Sequence, residues 1–300
     1  MDKYHVEGTR CDQSYIMSRS RLREFWQSPA TWVATTPDDT TNAGMDWGSL
    51  IDLLLLDEDR VETAVAVRPV TYPNKGEAKP WNNNARFCRW WNEKHADKLI
   101  VSQADMLAAI KAVNTIREHP TCEPLLDGAH FQALVTAEFA HVGVTVPVQT
   151  AIDIVPTADG YAGCIVDLKT TERLAVHSWR RLVFEHWYHV QAAMNLDLWN
   201  AATGESREQF RFIVQSSKEP YEITLRELSV EFIESGREQY RAALREYCGC
   251  LASGEWLGVD RREQAVDGWT LIEPLPWMVM DNPLRTADLG GGKPDWMEDE

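Results

Sequence analysis

Two short apolar runs, each containing an aspartate, constrain this chain more than any other feature. Asp153 lies in the run at residues 150–155, and Asp167 lies with Lys169 in the run at residues 164–171. Both runs are rich in β-branched and apolar residues, and a polar turn separates them, so the pattern predicts a hairpin of two buried strands. A carboxylate at the end of a buried strand is costly unless it meets a cation or a hydrogen-bond donor.

The residues in these runs point to metal-assisted chemistry. Lys169 lies on the same strand face as Asp167 because side chains alternate along a strand. Carboxylates are ligands that Mg²⁺ prefers, and this ion supports phosphodiester hydrolysis. We therefore predict that Asp153 and Asp167 bind Mg²⁺, with Mn²⁺ as the alternative, and that Lys169 orients or deprotonates the attacking water. The backbone carbonyl of Leu168 is a further candidate ligand. For Asp-x-Lys taken alone, a solvated strand end is the competing interpretation.

Two further acids are candidate metal ligands. Glu138 is flanked by apolar residues one predicted strand earlier, and a surface-facing residue of an alternating strand is the alternative. Asp52 is the only charged residue in the apolar run at 47–56. An unpaired buried carboxylate is expensive, so Asp52 should meet the metal, a water of the site or, alternatively, a structural ion-pair partner.

Candidate substrate contacts lie on predicted helices. Tyr188 and Gln191 are three residues apart and therefore share a helix face. Gln191 could hydrogen-bond the lysine, a metal-bound water or the phosphate, or it could belong to a polar stripe. Basic side chains that could contact phosphates, or simply be solvated, are Arg19, Arg21, Arg23, Arg173, Arg180 and Arg181. Trp90 and Trp91 could stack on bases, although packing is the favoured interpretation.

The pattern along the chain predicts an α/β fold with a mixed central β-sheet flanked by helices. Helices are predicted at 14–27, 45–57, 102–118, 174–202 and 229–252, and strands at 131–140, 143–148, 149–155, 161–169, 209–216 and 221–227. Residues 72–85 are expected to form a long loop. We expect an N-terminal helical part with this loop at 1–120, a core at 121–282 and a disordered acidic tail at 283–300.

Composition narrows the classes of function. The chain has 300 residues, six cysteines and a net charge of −16. Neither a signal peptide nor an apolar run long enough to span a membrane is present, so we expect a cytoplasmic protein with reduced thiols. A cysteine-bound iron–sulfur cluster is the disfavoured alternative. The negative charge argues against a protein that coats DNA, but it permits a nuclease with a local positive channel.

Taken in chain order, these residues resemble the PD-(D/E)xK nuclease superfamily, and most of all its phage and prophage exodeoxyribonuclease VIII (RecE-type) branch. The resemblance covers residues 14–280, and Asp52 departs from it because the family usually has a histidine there. The matching motifs are Ser18-x-Ser20-x-Leu22-x-x-Phe25, residues 48–55, Glu138, Asp153, residues 167–171, residues 188–193, Gly254-Glu255-Trp256 and Leu275-Pro276-Trp277.

The resemblance implies a Mg²⁺-dependent exonuclease on duplex DNA ends. It implies 5′-to-3′ digestion that leaves 3′ overhangs for a single-strand annealing protein in phage-type recombination, and a homo-oligomer. It also implies catalytic roles for Glu138 and Gln191 and a substrate contact at Ser49. The alternatives are an endonuclease or Cas4-like end-processing nuclease, a non-catalytic DNA-binding or assembly protein, and an acidic DNA mimic.

Overall fold

The computed structural model describes residues 9–35, 43–259 and 272. In these ranges the helices are α1 (Arg19–Gln27), α2 (Pro29–Ala34), α3 (Ala43–Leu56), α4 (Val61–Ala64), α5 (Arg86–Lys94), α6 (Gln103–Arg117), α7 (Glu123–Leu126), α8 (Val176–Glu185), α9 (Tyr188–Thr203) and α10 (Val230–Ser253). The strands are β1 (Val65–Arg68), β2 (Thr71–Asn74), β3 (Glu77–Pro80), β4 (Leu99–Ser102), β5 (His130–His141), β6 (Val144–Val155), β7 (Cys164–Thr171), β8 (Gln209–Ser216) and β9 (Ile223–Glu227).

The chain divides into two units, Met1–Trp256 and Leu257–Glu300. All the elements above belong to the first unit. The predicted tail at 283–300 and the motif at Leu275 lie outside the described residues, and the predicted boundary near residue 120 stays a prediction. Within the described ranges, none of the helices is long and apolar enough to cross a membrane.

The centre of the first unit is a five-stranded sheet with the order β5-β6-β7-β8-β9. The neighbours are antiparallel except for β7 and β8, which are parallel. A parallel pair needs a crossover connection, and α8 and α9 provide it. The sheet is therefore mixed and flanked by helices, which confirms the predicted fold class.

Helices cover both faces of this sheet. One core cluster joins the sheet to α1, α8, α9 and α10, and a second joins it to α3, α6 and α7. Along β7, Ile165 belongs to the first cluster, whereas Val166 and Leu168 belong to the second. Odd-numbered residues of this strand thus face α9, and even-numbered residues face α3 and α6.

The N-terminal helix begins later than predicted. The Oγ of Ser18 accepts a hydrogen bond from the backbone N–H of Arg21 and caps α1 there. Met17 instead continues the sheet, because its N–H donates to the carbonyl of Pro147 at 2.8 Å and its own carbonyl accepts from the N–H of Gln149 at 2.8 Å. Since β7 pairs with the later half of β6, Met17 covers part of the edge that β7 leaves open.

Three other element predictions need correction. The predicted helix at 174–202 is two helices, because Trp187 adopts a left-handed φ of 57° between them. The predicted strands at 143–148 and 149–155 are the single strand β6. The predicted loop at 72–85 is largely the β2–β3 hairpin, whose two turn residues have φ of 53° (Lys75) and 89° (Gly76). Such paired positive φ values fit a two-residue hairpin turn.

Candidate active site

Strand β7 presents Asp167 and Lys169 on the face that α9 covers. The Asp167 side chain has no exposed surface, and its Oδ2 forms an ion pair with the Lys169 ammonium. Its Oδ1 accepts a hydrogen bond of 2.6 Å from Nε2 of Gln191 on α9. The alternation expected for a strand therefore does bring the lysine to the aspartate, and the residue predicted on the facing helix joins them.

Asp153 reaches the same place from β6. Its Oδ2 accepts a hydrogen bond from the backbone N–H of Leu168 at 3.0 Å, and Oδ1 accepts from Nε2 of Gln132 at 3.5 Å. Gln132 stands opposite Asp153, where the pairing of β5 and β6 is interrupted and Gln132 has a φ of 52°. At this point the alternation of β6 shifts, since Ile152 packs in the α9 cluster and Ile154 in the α3 cluster. The distortion places the Asp153 carboxylate against β7.

Helix α3 brings a third acid toward these two. A Cβ on Gly48 would lie 3.3 Å from Oγ1 of Thr170, so a side chain at position 48 would hold α3 away from the end of β7. Asp52 lies one helical turn further along α3. Its negative charge is among the causes that raise the pKa of Asp153.

The charged groups of the cluster shift the pKa values of Asp153 and Lys169. Burial raises the pKa of Asp153 well above its ordinary value, and the negative charges of Asp167 and Asp52 raise it further. Burial alone would lower the pKa of Lys169, but the carboxylates of Asp167 and Asp153 raise it above the usual lysine value. Lys169 is therefore a charged ammonium, and the acids still carry unrelieved mutual repulsion.

Tyr188 lies over the Lys169 ammonium, and several arginines lie near Tyr188 and Gln191. The ammonium of Lys169 lies 5.1 Å from the ring centre of Tyr188, and burial raises the pKa of that phenol. Arg19 donates to the carbonyl of His186 at 3.0 Å and to Oε1 of Gln191 at 3.4 Å. Burial lowers the pKa of His186, and the nearby charges of Arg23, Arg19 and Arg173 add to this. A positive rim thus stands beside the buried acids.

The acids fit a hard divalent cation by chemistry. Mg²⁺ needs only one or two carboxylates because it keeps several waters. Asp167 Oδ2 is buried with the Lys169 ammonium as its ionic partner, and the repulsion at Asp153 would be relieved by a cation. However, nowhere in the described ranges do three His, Cys, Asp or Glu side chains gather closely enough to hold a metal. The fit is therefore to Asp153 and Asp167, with Asp52 at electrostatic range.

Some predicted site residues lie elsewhere or make other contacts. Glu138 is exposed on β5, where it stands opposite Pro147 of β6. It lies six residues from Gln132 on the same strand, which corresponds to roughly 20 Å. It lines a cavity of about 360 Å³ with Asp197 and Arg241. The expectation that Glu138 joins the other acids is not met, because the hairpin register carries it away from them.

The remaining three candidates have distinct surroundings. Ser49 is exposed on α3, one turn before Asp52. Arg21 donates to the carbonyl of Ile16 and lies 4.9 Å from the ring centre of Tyr15, so these contacts turn it toward the N-terminal segment. The carbonyl of Leu168 accepts a weak hydrogen bond of 3.4 Å from the Lys169 ammonium.

Two residues near the acids were not predicted as members of the site. The hairpin turn at Val142 and Gly143, with φ values of 46° and 77°, pairs His141 with Val144. Counting back along both strands from this pair places Gln132 opposite Asp153, so the sequence does carry a signal for Gln132. Arg19 was predicted only as one of several basic residues, and its contact with Gln191 depends on how α1 packs on α9, for which the sequence carries no signal.

Comparison with solved structures supports the fold. A crystal structure from Eubacterium rectale, described as "Putative exonuclease", superposes with a TM-score of 0.50 at 14% identity and covers 90% of this chain and 94% of its own. A second structure, of the protein SSO0001, covers 55% of this chain and 77% of its own at 14% identity, with a TM-score of 0.27 that carries no argument. No curated protein matches the chain.

A family model matches residues 18–258, which contain every residue of the cluster described above. Its description is "PDDEXK-like domain of unknown function (DUF3799)". The matched range includes Asp153 and the acid–x–lysine sequence Asp167-Leu168-Lys169. By this match, and with the mixed sheet that holds these residues together, the chain belongs to the PDDEXK-like DUF3799 family.

Proposed function

We propose that the protein is a Mg²⁺-dependent nuclease that hydrolyses DNA phosphodiester bonds, and that it acts as an exonuclease on duplex ends. The observation that carries the proposal is the convergence of Asp153, Asp167 and Lys169 on one end of β7, with Gln191 held against Asp167. Membership of a PDDEXK-like family supports nuclease activity in general.

Each residue of the cluster has a separate task in this proposal. A bound Mg²⁺ would polarise the phosphoryl oxygens and lower the pKa of its water. Asp153 and Asp167 would hold the ion, and Gln191 fixes the orientation of the Asp167 carboxylate. Lys169, which pairs with Asp167, would neutralise the phosphate and orient or deprotonate the attacking water. Arg19, Arg23 and Arg173 supply further positive charge for the DNA backbone.

The finer parts of the proposal concern polarity and partners. Digestion from 5′ ends, 3′ overhangs, a single-strand annealing partner, recombination in a phage context and a homo-oligomer follow from the RecE-type resemblance. A cytoplasmic location and Mn²⁺ as an alternative ion are carried over from the sequence. The name of the Eubacterium rectale structure is consistent with exonuclease action. Covalently closed circular DNA separates the two enzyme hypotheses, because an endonuclease cuts it and an exonuclease leaves it intact.

The decisive experiment measures nucleotide release from end-labelled duplex DNA with Mg²⁺ and with EDTA. We expect release with Mg²⁺ only, and a loss of about 10²–10³-fold in Lys169→Ala, the range seen when one electrostatic stabiliser is removed from an active site. Lys111→Ala is the matched control, since Lys111 is an exposed lysine on α6 that pairs with Glu219. Equal activity of Lys169→Ala and Lys111→Ala would disprove the proposed mechanism.

Binding of the ion can be tested without turnover. A ligand that binds only the folded state raises stability in proportion to RT ln(1 + [L]/Kd). Mg²⁺ should therefore raise the melting temperature of the wild type, and Asp167→Asn should abolish this increase. Asp197→Asn serves as the control, because Asp197 is a partly buried aspartate that pairs with Arg237 and Arg241 on α10. That variant should keep its response to Mg²⁺ although its starting stability is lower.

A further inference from the structure

Residues 65–102, which we name the basic arm, differ in charge from the rest of the chain. They contain seven lysines and arginines and three aspartates and glutamates, whereas the whole chain has 30 and 46. The arm therefore carries a net charge of +4 within a chain of net charge −16. A basic segment in an acidic protein marks a surface for an anionic partner.

The arm is anchored at its base and exposed beyond it. Strands β1 and β4 pair in parallel, and Val65 and Val101 are buried in the same core cluster as Val113 and Ile116 of α6. The chain between them forms the β2–β3 hairpin and α5. All four residues of β3 are exposed. The outer part of the arm is thus open to solvent on a firmly held base.

Aromatic rings follow one another across this outer part. Tyr72 on the hairpin stacks with Phe87 on α5 at 6.4 Å between ring centres, and Phe87 lies 5.5 Å from Trp90. Trp90 is 52% exposed, and the Lys94 ammonium lies 5.6 Å from the centre of its ring. The structure therefore presents an exposed indole next to a positive charge, at the end of a row of rings.

A second group of rings has a structural task. Trp81 packs edge-on against Trp91 at 5.5 Å, and Trp91 stacks on His95 at 4.0 Å. These three side chains are half-buried, and they fix α5 to the end of the hairpin. The row of Tyr72, Phe87 and Trp90 is consequently held in place rather than free to collapse.

We propose that the basic arm binds single-stranded DNA. Unpaired bases stack on aromatic side chains, and the phosphates between them need lysine or arginine, which is the combination that the arm presents. In a duplex, the base faces are covered by their neighbours, so a row of rings gains nothing from duplex DNA. The inference rests on the proposed function for its choice of DNA, because exonuclease digestion leaves a single strand that must be held.

Two other occupants fit the arm less well. Lysine is depleted in the buried centre of protein–protein interfaces, whereas here it lies directly against the most exposed ring. A helix that lies in a membrane surface needs a continuous apolar face. In the arm, the ring row instead crosses from strand β2 to helix α5, and the segment that joins β3 to α5 carries exposed polar residues such as Asn82 and Asn84.

The test measures binding of the full chain to a fluorescently labelled oligothymidylate in EDTA, by anisotropy and tryptophan quenching. The test variant is Trp90→Ala/Lys94→Ala. The matched control is Phe184→Ala/Arg245→Ala, which removes a ring of nearly equal exposure, 53% against 52%, and one positive charge away from the arm. We expect the test variant to bind the single strand about tenfold more weakly and the control variant to bind it as the wild type does.

Several results would overturn the proposal. These are equal single-strand affinity in the test variant and the wild type, an equal loss in the control variant, and a loss of duplex binding as large as the loss of single-strand binding. A loss confined to vesicles of anionic phospholipid would also overturn it, in favour of a membrane surface. Binding in EDTA requires no catalysis, so inactivity of the enzyme, or full activity of Lys169→Ala, counts against the proposed function, whereas the oligothymidylate affinities of the test and control variants decide this inference.

Discussion

The side-chain amide of Gln191 links helix α9 to Asp167, an acid with no exposed surface. Its Nε2 donates to Oδ1 of Asp167 at 2.6 Å, while Oε1 accepts from Arg19. Because the Asp167 carboxylate is fully buried, the loss of this donor leaves a charged oxygen without compensation. Gln191 therefore acts as a positioning residue, since it sets the direction of a group that would hold the metal.

Replacement of Gln191 should affect stability and activity together. We expect Gln191→Ala to lower the free energy of unfolding by about 1–3 kcal/mol, and to reduce nuclease activity at least tenfold at a temperature where the variant is folded. Gln215→Ala is the control. Gln215 is buried on β8, outside the acid cluster, and donates a hydrogen bond of 2.8 Å to the carbonyl of Ala112. Chemical denaturation and nucleotide release would be measured on both. If the two variants lose activity equally, Gln191 has no special role.

For single residues, the sequence predicts those contacts that depend only on the geometry of one strand or one helix. The alternation of strand side chains was enough to place Lys169 beside Asp167. Glu138 lies away from the other acids, because the distance between two acids on neighbouring strands depends on the register of the hairpin and not on the alternation within one strand. The role of Asp52 stays a prediction, and its place relative to β7 depends on the close approach of Gly48 to Thr170, which the sequence does not show.

Helices α9 and α10 cross at a point where only glycine fits. A Cβ on Gly236 of α10 would lie within 2.9 Å of the backbone nitrogen of Val190 and closer still to the backbone of His189. His189 and Val190 belong to the first turn of α9, which also carries Tyr188 and Gln191. The same contact that packs the two helices therefore fixes the end of α9 at the site.

A single methyl group added at this crossing should destabilise the protein severely. We expect Gly236→Ala to destabilise the protein by about 3 kcal/mol or more, because backbone rather than a flexible side chain must move. Gly249→Ala on the same helix is the control, since a Cβ there meets nothing within 4 Å. It should be neutral or stabilising by up to about 1 kcal/mol. Urea denaturation of both variants tests this, and similar effects at the two positions would refute the close-packing argument.

Helices and strands are predictable from the sequence where the hydrophobic pattern or the helix-capping residues give a strong signal. The capping box at Ser102 and Asp105 marks the start of α6, and the apolar residues within 209–216 match β8, which is buried over most of its length. The sequence could not show the break at Trp187, because a left-handed φ at a tryptophan is sustained by tertiary packing and not by local preference. The β2–β3 hairpin was missed because Pro73 and Pro80 suggested a loop. A two-stranded ribbon tolerates proline, since each strand has a free edge.

The whole molecule carries its charges unevenly, and this affects both stability and binding. With 46 acidic and 30 basic residues, the fold experiences net self-repulsion, while the basic arm and the rim around Lys169 present positive charge locally. Salt screens both effects, since the Debye length falls from about 30 Å at 0.01 M to about 8 Å at 0.15 M. Screening of the self-repulsion favours the folded state, whereas screening of the local positive charge disfavours DNA binding.

Added salt should therefore stabilise the fold while it weakens DNA binding. Between these ionic strengths we expect the melting temperature to rise by about 2–4 °C, which corresponds to about 1 kcal/mol for a domain of this size. The rise should disappear near pH 5, because the isoelectric point is about 5.0 and the net repulsion vanishes there. Single-strand affinity should fall over the same range, because phosphate neutralisation releases counterions. Thermal denaturation and anisotropy on the same samples would reveal both trends. A melting temperature that falls with salt at neutral pH would mean that local ion pairs, and not net repulsion, dominate the electrostatics of the fold.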